Sequence, residues 1–144
     1  MEDTFQLIYS SQPFGYDQAT LDGILLDARR CNQRDGITGA LVCRHDVFLQ
    51  LLEGPRGAVD NTFQRIRHDD RHVDVKLRFF QDVPERMFSR WSMLHDPARS
   101  WIWSIEEISG DILERVGVGE FKRVFEILAE NMKADGPHQQ APAG

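Results

Sequence analysis

The chain has 144 residues, of which 41% are hydrophobic and 28% are charged, and this composition is typical of one globular domain. Seventeen basic against twenty-three acidic residues give a formal net charge of -6, which argues against a nucleic-acid surface because phosphate binding needs a positive field. There are only two cysteines, an acidic start and short apolar runs. We therefore expect a cytoplasmic protein without a disulfide scaffold, a signal peptide or a membrane span.

The first two thirds of the chain alternate between strand and helix periodicity. Strands are indicated by apolar residues at every second position, and helices by apolar residues three and four positions apart. Two of the strands are separated by three polar residues and predict a hairpin. In chain order the segments are 5–10 (strand), 21–35 (helix), 37–43 and 47–53 (strands), 58–70 (helix), 73–79 (strand) and 91–95 (short strand).

This order predicts an α+β fold, a ferredoxin-like βαββαβ sheet with an added fifth strand. Right-handed crossovers would place both helices on one face and make the first and third strands central neighbours. The third strand is apolar on both sides, as a strand covered on both faces is. The second face of the sheet therefore needs a cover.

The last third of the chain predicts that cover as two helices. One helical face is shared by Trp101, Ile105, Ile108 and Ile112, and residues 121–132 carry a second apolar stripe. Residues 134–144 hold no packing side chains and predict a disordered tail.

Gln50 lies in the middle of the most apolar strand, where an unpaired amide would cost about 1–3 kcal/mol. Tyr9 lies on the neighbouring central strand, and its phenol needs a partner if it is buried. Asn32 follows the apolar stripe of the first helix. From the residue pattern alone, we expect Gln50 to hydrogen-bond either a neighbouring side chain such as Tyr9 or a water, and Asn32 to be a C-terminal cap or turn residue.

Four stretches combine this tyrosine, asparagine and glutamine with a late Trp-x-Met: Leu7–Ser11, Asn32 with Gly36–Leu41, Phe48–Pro55 and Trp91–Met93. The combination resembles the BLUF family, the flavin-binding blue-light sensors, over about residues 5–97. The resemblance implies a photosensor domain over residues 1–97, followed by a helical cap over 98–133 and the tail over 134–144.

The resemblance also implies a flavin held edge-on between the two helices of one face. The expected cofactor is FAD, while FMN shares its ring. Ile24 and Ile66 match the residues that flank the ring, and Asn32 matches the amide that binds its pyrimidine end. Arg65 and Asp69 match residues near the ribityl and phosphate end. The residues alone also allow plain core packing for the isoleucines and an exposed ion pair for Arg65 and Asp69.

In such a sensor, light excites the flavin and Tyr9 gives an electron and a proton. The hydrogen bonds of Gln50 then rearrange and the flavin absorption shifts to the red. Trp91 and Met93 match the family's switch segment on the fifth strand, and the sequence leaves open which of them faces Gln50. We expect no enzyme activity, and an output through a separate downstream protein or through self-association as a homodimer.

Two other functions remain compatible with the sequence. One is an α/β regulatory or interaction module that binds no flavin. The other is a hydrolase of the acylphosphatase kind, although no catalytic constellation is evident. His68 and His72 have the spacing of a helical metal pair but lack a third ligand, so we interpret them as solvated.

Overall fold

A computed structural model of the protein describes residues 4–13, 18–44, 47–69, 72–96 and 112–135. These residues form five strands, three α-helices and a short 3-10 helix over Ile112–Glu114. In chain order the longer elements are β1 (Thr4–Pro13), α1 (Gln18–Asp35), β2 (Thr38–Arg44), β3 (Val47–Gly54), α2 (Arg56–Arg67), β4 (His72–Val83), β5 (Leu94–Asp96) and α3 (Val118–Asp135).

The five strands form one sheet in the order β4-β1-β3-β2-β5. Neighbouring strands are antiparallel except for β2 and β5, which are parallel. The predicted α+β fold is therefore confirmed, with β1 and β3 as central neighbours and a fifth strand added at the edge. Gly39 is needed within this sheet because a Cβ at this position would overlap the carbonyl oxygen of Leu51 on β3.

Each face of the sheet carries its own apolar core, because successive side chains of a strand point to opposite faces. The α1/α2 face combines both helices with one set of strand residues, among them Leu21, Val59, Tyr9, Phe48 and Met93. The α3 face combines α3 with the other set, among them Phe125, Ile8, Leu49, Phe88 and Trp91.

The C-terminal cover is observed in part. Residues Phe121, Val124, Phe125 and Leu128 of α3 are buried against the sheet, as predicted for the second C-terminal helix. Trp101, Ile105 and Ile108 of the first predicted helix lie outside the described residues, as does most of the predicted tail, whereas Ile112 begins the 3-10 helix. Within the described part of the chain, none of the helices is apolar and long enough to span a bilayer.

Strand β5 begins at Leu94, three residues later than predicted, so the prediction that Trp91 and Met93 lie on it is wrong. The residues before Leu94 are held by other elements instead of by ladder pairing. The Gly39 amide donates to the Trp91 carbonyl at 3.0 Å, and the Asn32 side chain donates to the Ser92 carbonyl at 2.8 Å. These bonds give the Trp-x-Met stretch an irregular but fixed backbone.

Candidate functional site

A cleft opens between α1 and α2, with β3 as its floor. Its volume is about 460 Å³ when its open mouth is included. The lining combines aliphatic walls with amide, hydroxyl and charged groups, an arrangement typical of a site for an organic ligand. The lining residues are Ile24, Asp27, Ala28, Cys31 and Asn32 from α1, Gln50 and Leu52 from β3, Thr62, Arg65 and Ile66 from α2, and Asp69 and His72 beyond α2.

A chain of buried hydrogen bonds lies at the floor of this cleft. Tyr9 and Gln50 are directly opposite each other in the register of β1 and β3, and their exposed fractions are 0% and 2%. The Tyr9 hydroxyl donates to Gln50 Oε1. Gln50 Nε2 is 3.2 Å from the sulfur of Met93. Both ends of the Gln50 amide are therefore engaged while the side chain faces the cleft.

The environment of Tyr9 keeps its phenol protonated. Burial raises the pKa of Tyr9 far above the ordinary value, and the nearby ionisable groups of Asp69 and Cys43 raise it further. A phenolate would have to lose its hydration in an apolar core. At neutral pH, Tyr9 therefore has a proton to give to an acceptor.

Asn32 lies in the last turn of α1, and its side chain is buried. Its Nδ2 donates to the Ser92 carbonyl, as described above, while Arg29 Nε donates to the Met93 carbonyl at 3.1 Å. Helix α1 thus holds two successive carbonyl groups of the segment that carries Met93.

The outer end of the cleft is charged. The Arg65 side chain is 47% exposed and lies 3.8 Å from the carboxylate of Asp35. Asp69 lies just beyond the end of α2, where its amide donates to the Ile66 carbonyl at 3.0 Å. A cationic group at the mouth is suited to a ligand with an anionic tail.

Six lining residues were not predicted to belong to the site: Asp27, Ala28, Cys31, Leu52, Thr62 and His72. Thr62 Oγ1 is buried and has no hydrogen-bond partner among the described residues, although Thr62 shares a helical face with Val59 and Ile66 and could have been identified by that spacing. The prediction that His72 is solvated is wrong. His72 is buried, its Nδ1 is 2.8 Å from Ser11 Oγ, and its ring lies about 6 Å from that of Tyr9.

These lining residues fit a flavin. A flat ring with an apolar face suits the walls made by Ile24 and Ile66, and its carbonyl and N–H edge suits amides that both donate and accept hydrogen bonds. Asn32 and Gln50 supply such amides. The Thr62 hydroxyl, which has no partner in the described ranges, is a further group that a ligand would satisfy.

Most of the predicted site residues meet at this cleft, and Trp91 does not. Met93 packs on the α1/α2 face next to Gln50. Trp91 packs on the opposite face with Phe88 and Phe125. The two neighbours in the Trp-x-Met stretch therefore face different cores. The residues brought to the cleft or its floor are Tyr9, Ile24, Asn32, Gln50, Arg65, Ile66, Asp69 and Met93.

Comparison with known proteins places this arrangement in a family. The profile of the BLUF family, described as sensors of blue-light using FAD, matches residues 4–94. The photoactivated adenylate cyclase subunit beta of Euglena gracilis is 40% identical over 74 residues, which cover 51% of this chain and 9% of that protein. The chain thus matches only about a tenth of the length of such curated relatives.

Solved structures agree with this match. The dark-state structure of BlrB, a BLUF protein, is 27% identical with a TM-score of 0.76, covering 92% of this chain and 99% of that one. Klebsiella pneumoniae BlrP1 with FMN and cyclic diGMP is 29% identical with a TM-score of 0.61, covering 77% of this chain and 30% of that one. The family match, together with a fold and a cleft of this kind, shows that the chain belongs to the BLUF family of blue-light sensors.

Proposed function

We propose that this protein is a blue-light photoreceptor that binds a flavin non-covalently between α1 and α2 and signals through Tyr9 and Gln50. The observation that carries the proposal is the buried chain of hydrogen bonds from Tyr9 through Gln50 to Met93 at the floor of the cleft. A phenol and a primary amide in direct contact provide an electron and proton donor beside a group that can reverse its donor and acceptor ends.

The binding roles follow from position in the cleft. Ile24 and Ile66 hold the two faces of the ring, and Asn32 binds its polar edge. Arg65 and Asp69 lie at the outer end, where Arg65 pairs with a phosphate group. We propose FAD as the cofactor, as in the family description. FMN is the alternative, because the related BlrP1 structure contains it.

When bound, the flavin supplies absorption of blue light and an excited state that accepts an electron. Tyr9 would give an electron to the excited flavin and its hydroxyl proton by way of Gln50 Oε1, to which it donates. Both would return to Tyr9 when the pair recombines, so the red-shifted state would differ from the dark state only in its hydrogen bonds. Loss of that proton removes the hydrogen bond that holds Gln50 Oε1. The Gln50 amide is then free to rotate and to present a different group to the cleft.

Rotation of this amide affects Met93 directly. In the described arrangement, Gln50 Nε2 lies against the Met93 sulfur, which is a weak acceptor and no donor. A rotated amide would place its oxygen against that sulfur, and no hydrogen bond would form because neither atom carries a hydrogen. We therefore infer that Met93 moves away from Gln50 when the amide rotates.

The output follows from the geometry next to Met93. Trp91 lies two residues away and packs against α3 on the other face of the sheet. We propose that a shift of Met93 is transmitted by Trp91 to α3, in the helical cap over residues 98–133 that follows the photosensor domain over 1–97. A separate downstream protein would read this change.

The absorption spectrum of the purified protein, recorded in the dark and just after blue illumination, tests the proposal. The expected result is a flavin spectrum that shifts slightly to the red and recovers in darkness. A bound flavin without a shift would contradict the roles of Tyr9 and Gln50. Colourless protein that also fails to take up added flavin would favour an interaction module without cofactor.

A further inference from the structure

Glu53 is a buried carboxylate on the α3 face, close to the end of β3. Its exposed fraction is 0%. Its Oε1 accepts from Gln6 Nε2 at 3.2 Å and from the Met87 amide at 2.8 Å. Its Oε2 accepts from Thr38 Oγ1 at 3.1 Å and from the Phe88 amide at 2.6 Å. Four donors from three parts of the chain thus converge on one carboxylate.

Two of these donors belong to the loop between β4 and β5. The Phe88 carbonyl in turn accepts from the Trp91 amide at 3.0 Å, and the Trp91 carbonyl accepts from the Gly39 amide at 3.0 Å. The loop is held a second time by Arg86, which donates to the Gly36 carbonyl at 2.8 Å and to Thr38 Oγ1 at 3.2 Å. The backbone from Arg86 to Trp91 is therefore fixed by side chains and by β2.

This arrangement determines which core each side chain of the Trp-x-Met stretch enters. Phe88 and Trp91 enter the α3 core, whereas Met93 enters the α1/α2 core beside Gln50. A carboxylate has two oxygens that can each accept two hydrogen bonds, and a carboxamide has one such oxygen. Burying a carboxylate is costly unless it is fully hydrogen-bonded, so its presence here favours a positioning role over simple packing.

We propose that Glu53 is a positioning residue that clamps residues 86–91 to the sheet and thereby keeps Met93 against Gln50 in the dark. The effect on the light response rests on the proposed function. With the clamp in place, a shift of Met93 is passed to Trp91 without releasing residues 86–91 from the sheet. Without it, the dark arrangement is less favoured, and the return from the illuminated state is slower.

Amide hydrogen exchange of the flavin-loaded protein in the dark tests the clamp itself. In Glu53→Gln, the amides of Met87, Phe88 and Trp91 should exchange about tenfold faster than in the wild type. The Val59 amide, which donates to the Pro55 carbonyl at 3.0 Å, should keep its protection. A clamp is excluded if the three loop amides keep wild-type protection, or if Val59 loses protection equally.

The matched control is Gln6→Leu, which removes the donor on β1 and leaves both loop amides on Glu53. This variant should keep the loop protected. If Glu53→Gln does not fold, Glu53→Asp serves instead, because it keeps the charge and shortens the side chain by one methylene. Loop protection unchanged in Glu53→Asp would overturn the proposal.

Dark recovery after illumination tests the functional part. We expect recovery about threefold slower in Glu53→Gln and unchanged in Gln6→Leu. Recovery at the wild-type rate in Glu53→Gln would contradict a role in the light response. A wild-type protein with no light-induced shift would overturn the proposed function, while the amide exchange would still decide whether Glu53 acts as a clamp.

Discussion

The buried polar side chains of the sheet differ in the face to which they point and in their hydrogen bonds. Gln6 and Gln50 lie on neighbouring central strands and are both buried. Gln6 faces Glu53 on the α3 side, and its Oε1 has no partner within the described part of the chain. Gln50 faces the cleft with both ends of its amide engaged. This pair therefore offers a matched comparison of two buried amides.

Tyr9→Phe and Gln50→Leu should each abolish the light-induced red shift while flavin stays bound. Tyr9→Phe would remove the proposed electron and proton donor, and Gln50→Leu would remove the amide that is proposed to rotate. Leaving Gln50 Oε1 without its donor costs about 1–3 kcal/mol, which a domain of this size tolerates. Difference spectra before and after illumination provide the measurement. Gln6→Leu is the control and should keep the shift, and a normal photocycle in Tyr9→Phe would refute the role of Tyr9.

The raised pKa of Tyr9 predicts a loss of stability at high pH. The folded protein holds this proton more tightly than the unfolded chain does. The protonated phenol of Tyr9 therefore contributes fully to the free energy of unfolding when the pH is below the ordinary tyrosine pKa of about 10. This contribution is lost as the pH rises above that value, at up to about 1.4 kcal/mol per pH unit. Urea unfolding of the wild type and Tyr9→Phe at about pH 9 and pH 11 measures it. Equal losses in the two proteins would contradict the shift.

Residue patterns predicted which residues contribute to the site better than they predicted the direction in which each side chain points. Gln50 was identifiable because an amide interrupts an apolar strand, and its contact with Tyr9 follows from adjacent central strands. The opposite orientation of Trp91 and Met93 was not predictable, because it depends on an irregular backbone held by Asn32 and Gly39. The role of Glu53 was not predictable either. It lies near the end of an apolar strand, and no residue pattern indicates its four hydrogen-bond donors.

Among the elements, the segment before β5 joins the core beneath the cleft to the core that α3 closes. Trp91 contributes to the core that α3 closes with Phe121, Phe125 and Leu128. Met93, two residues later, contributes to the core beneath the cleft. A displacement of this short segment would act on both cores at once, because the segment contributes one side chain to each core.

Illumination should therefore change the amide exchange of α3 in the wild-type protein. Trp91→Leu should keep the red shift, because Trp91 lies away from the cleft, and should lose the light-dependent change in α3. Hydrogen exchange of residues 112–132 in dark and light measures this. Unchanged protection over residues 91–132 in the wild type would exclude transmission by this route.

Strand and helix periodicity was sufficient to predict the order and type of the elements from β1 to β4. Bounds were less predictable, because β4 continues to Val83 along the whole length of β1, whereas its apolar alternation ends at Phe79. Helix α2 begins at Arg56 because Pro55 fixes an extended backbone that precedes a helix well. Tertiary pairing thus extended elements beyond their local patterns.

Across the molecule as a whole, the sheet separates a face that carries the cleft from a face that α3 covers. Each face has its own cluster of buried apolar side chains among the described residues. The protein is therefore expected to fold without flavin and to gain stability when flavin binds. A ligand present at a hundred times its Kd adds about 2.7 kcal/mol to the free energy of unfolding.

Because the chain carries a net charge of -6, we expect the charged end of the cleft to determine which flavin binds most tightly. A phosphate brings further negative charge to an acidic protein, so it needs a local cation, and Arg65 lines the mouth. FAD and FMN should raise the melting temperature more than riboflavin, which lacks phosphate. Arg65→Gln should remove that difference. Arg30→Gln makes the same charge change outside the lining of the cleft and should preserve it. Equal stabilisation by all three flavins in the wild type would show that binding depends on the ring alone, held by Ile24, Asn32 and Ile66.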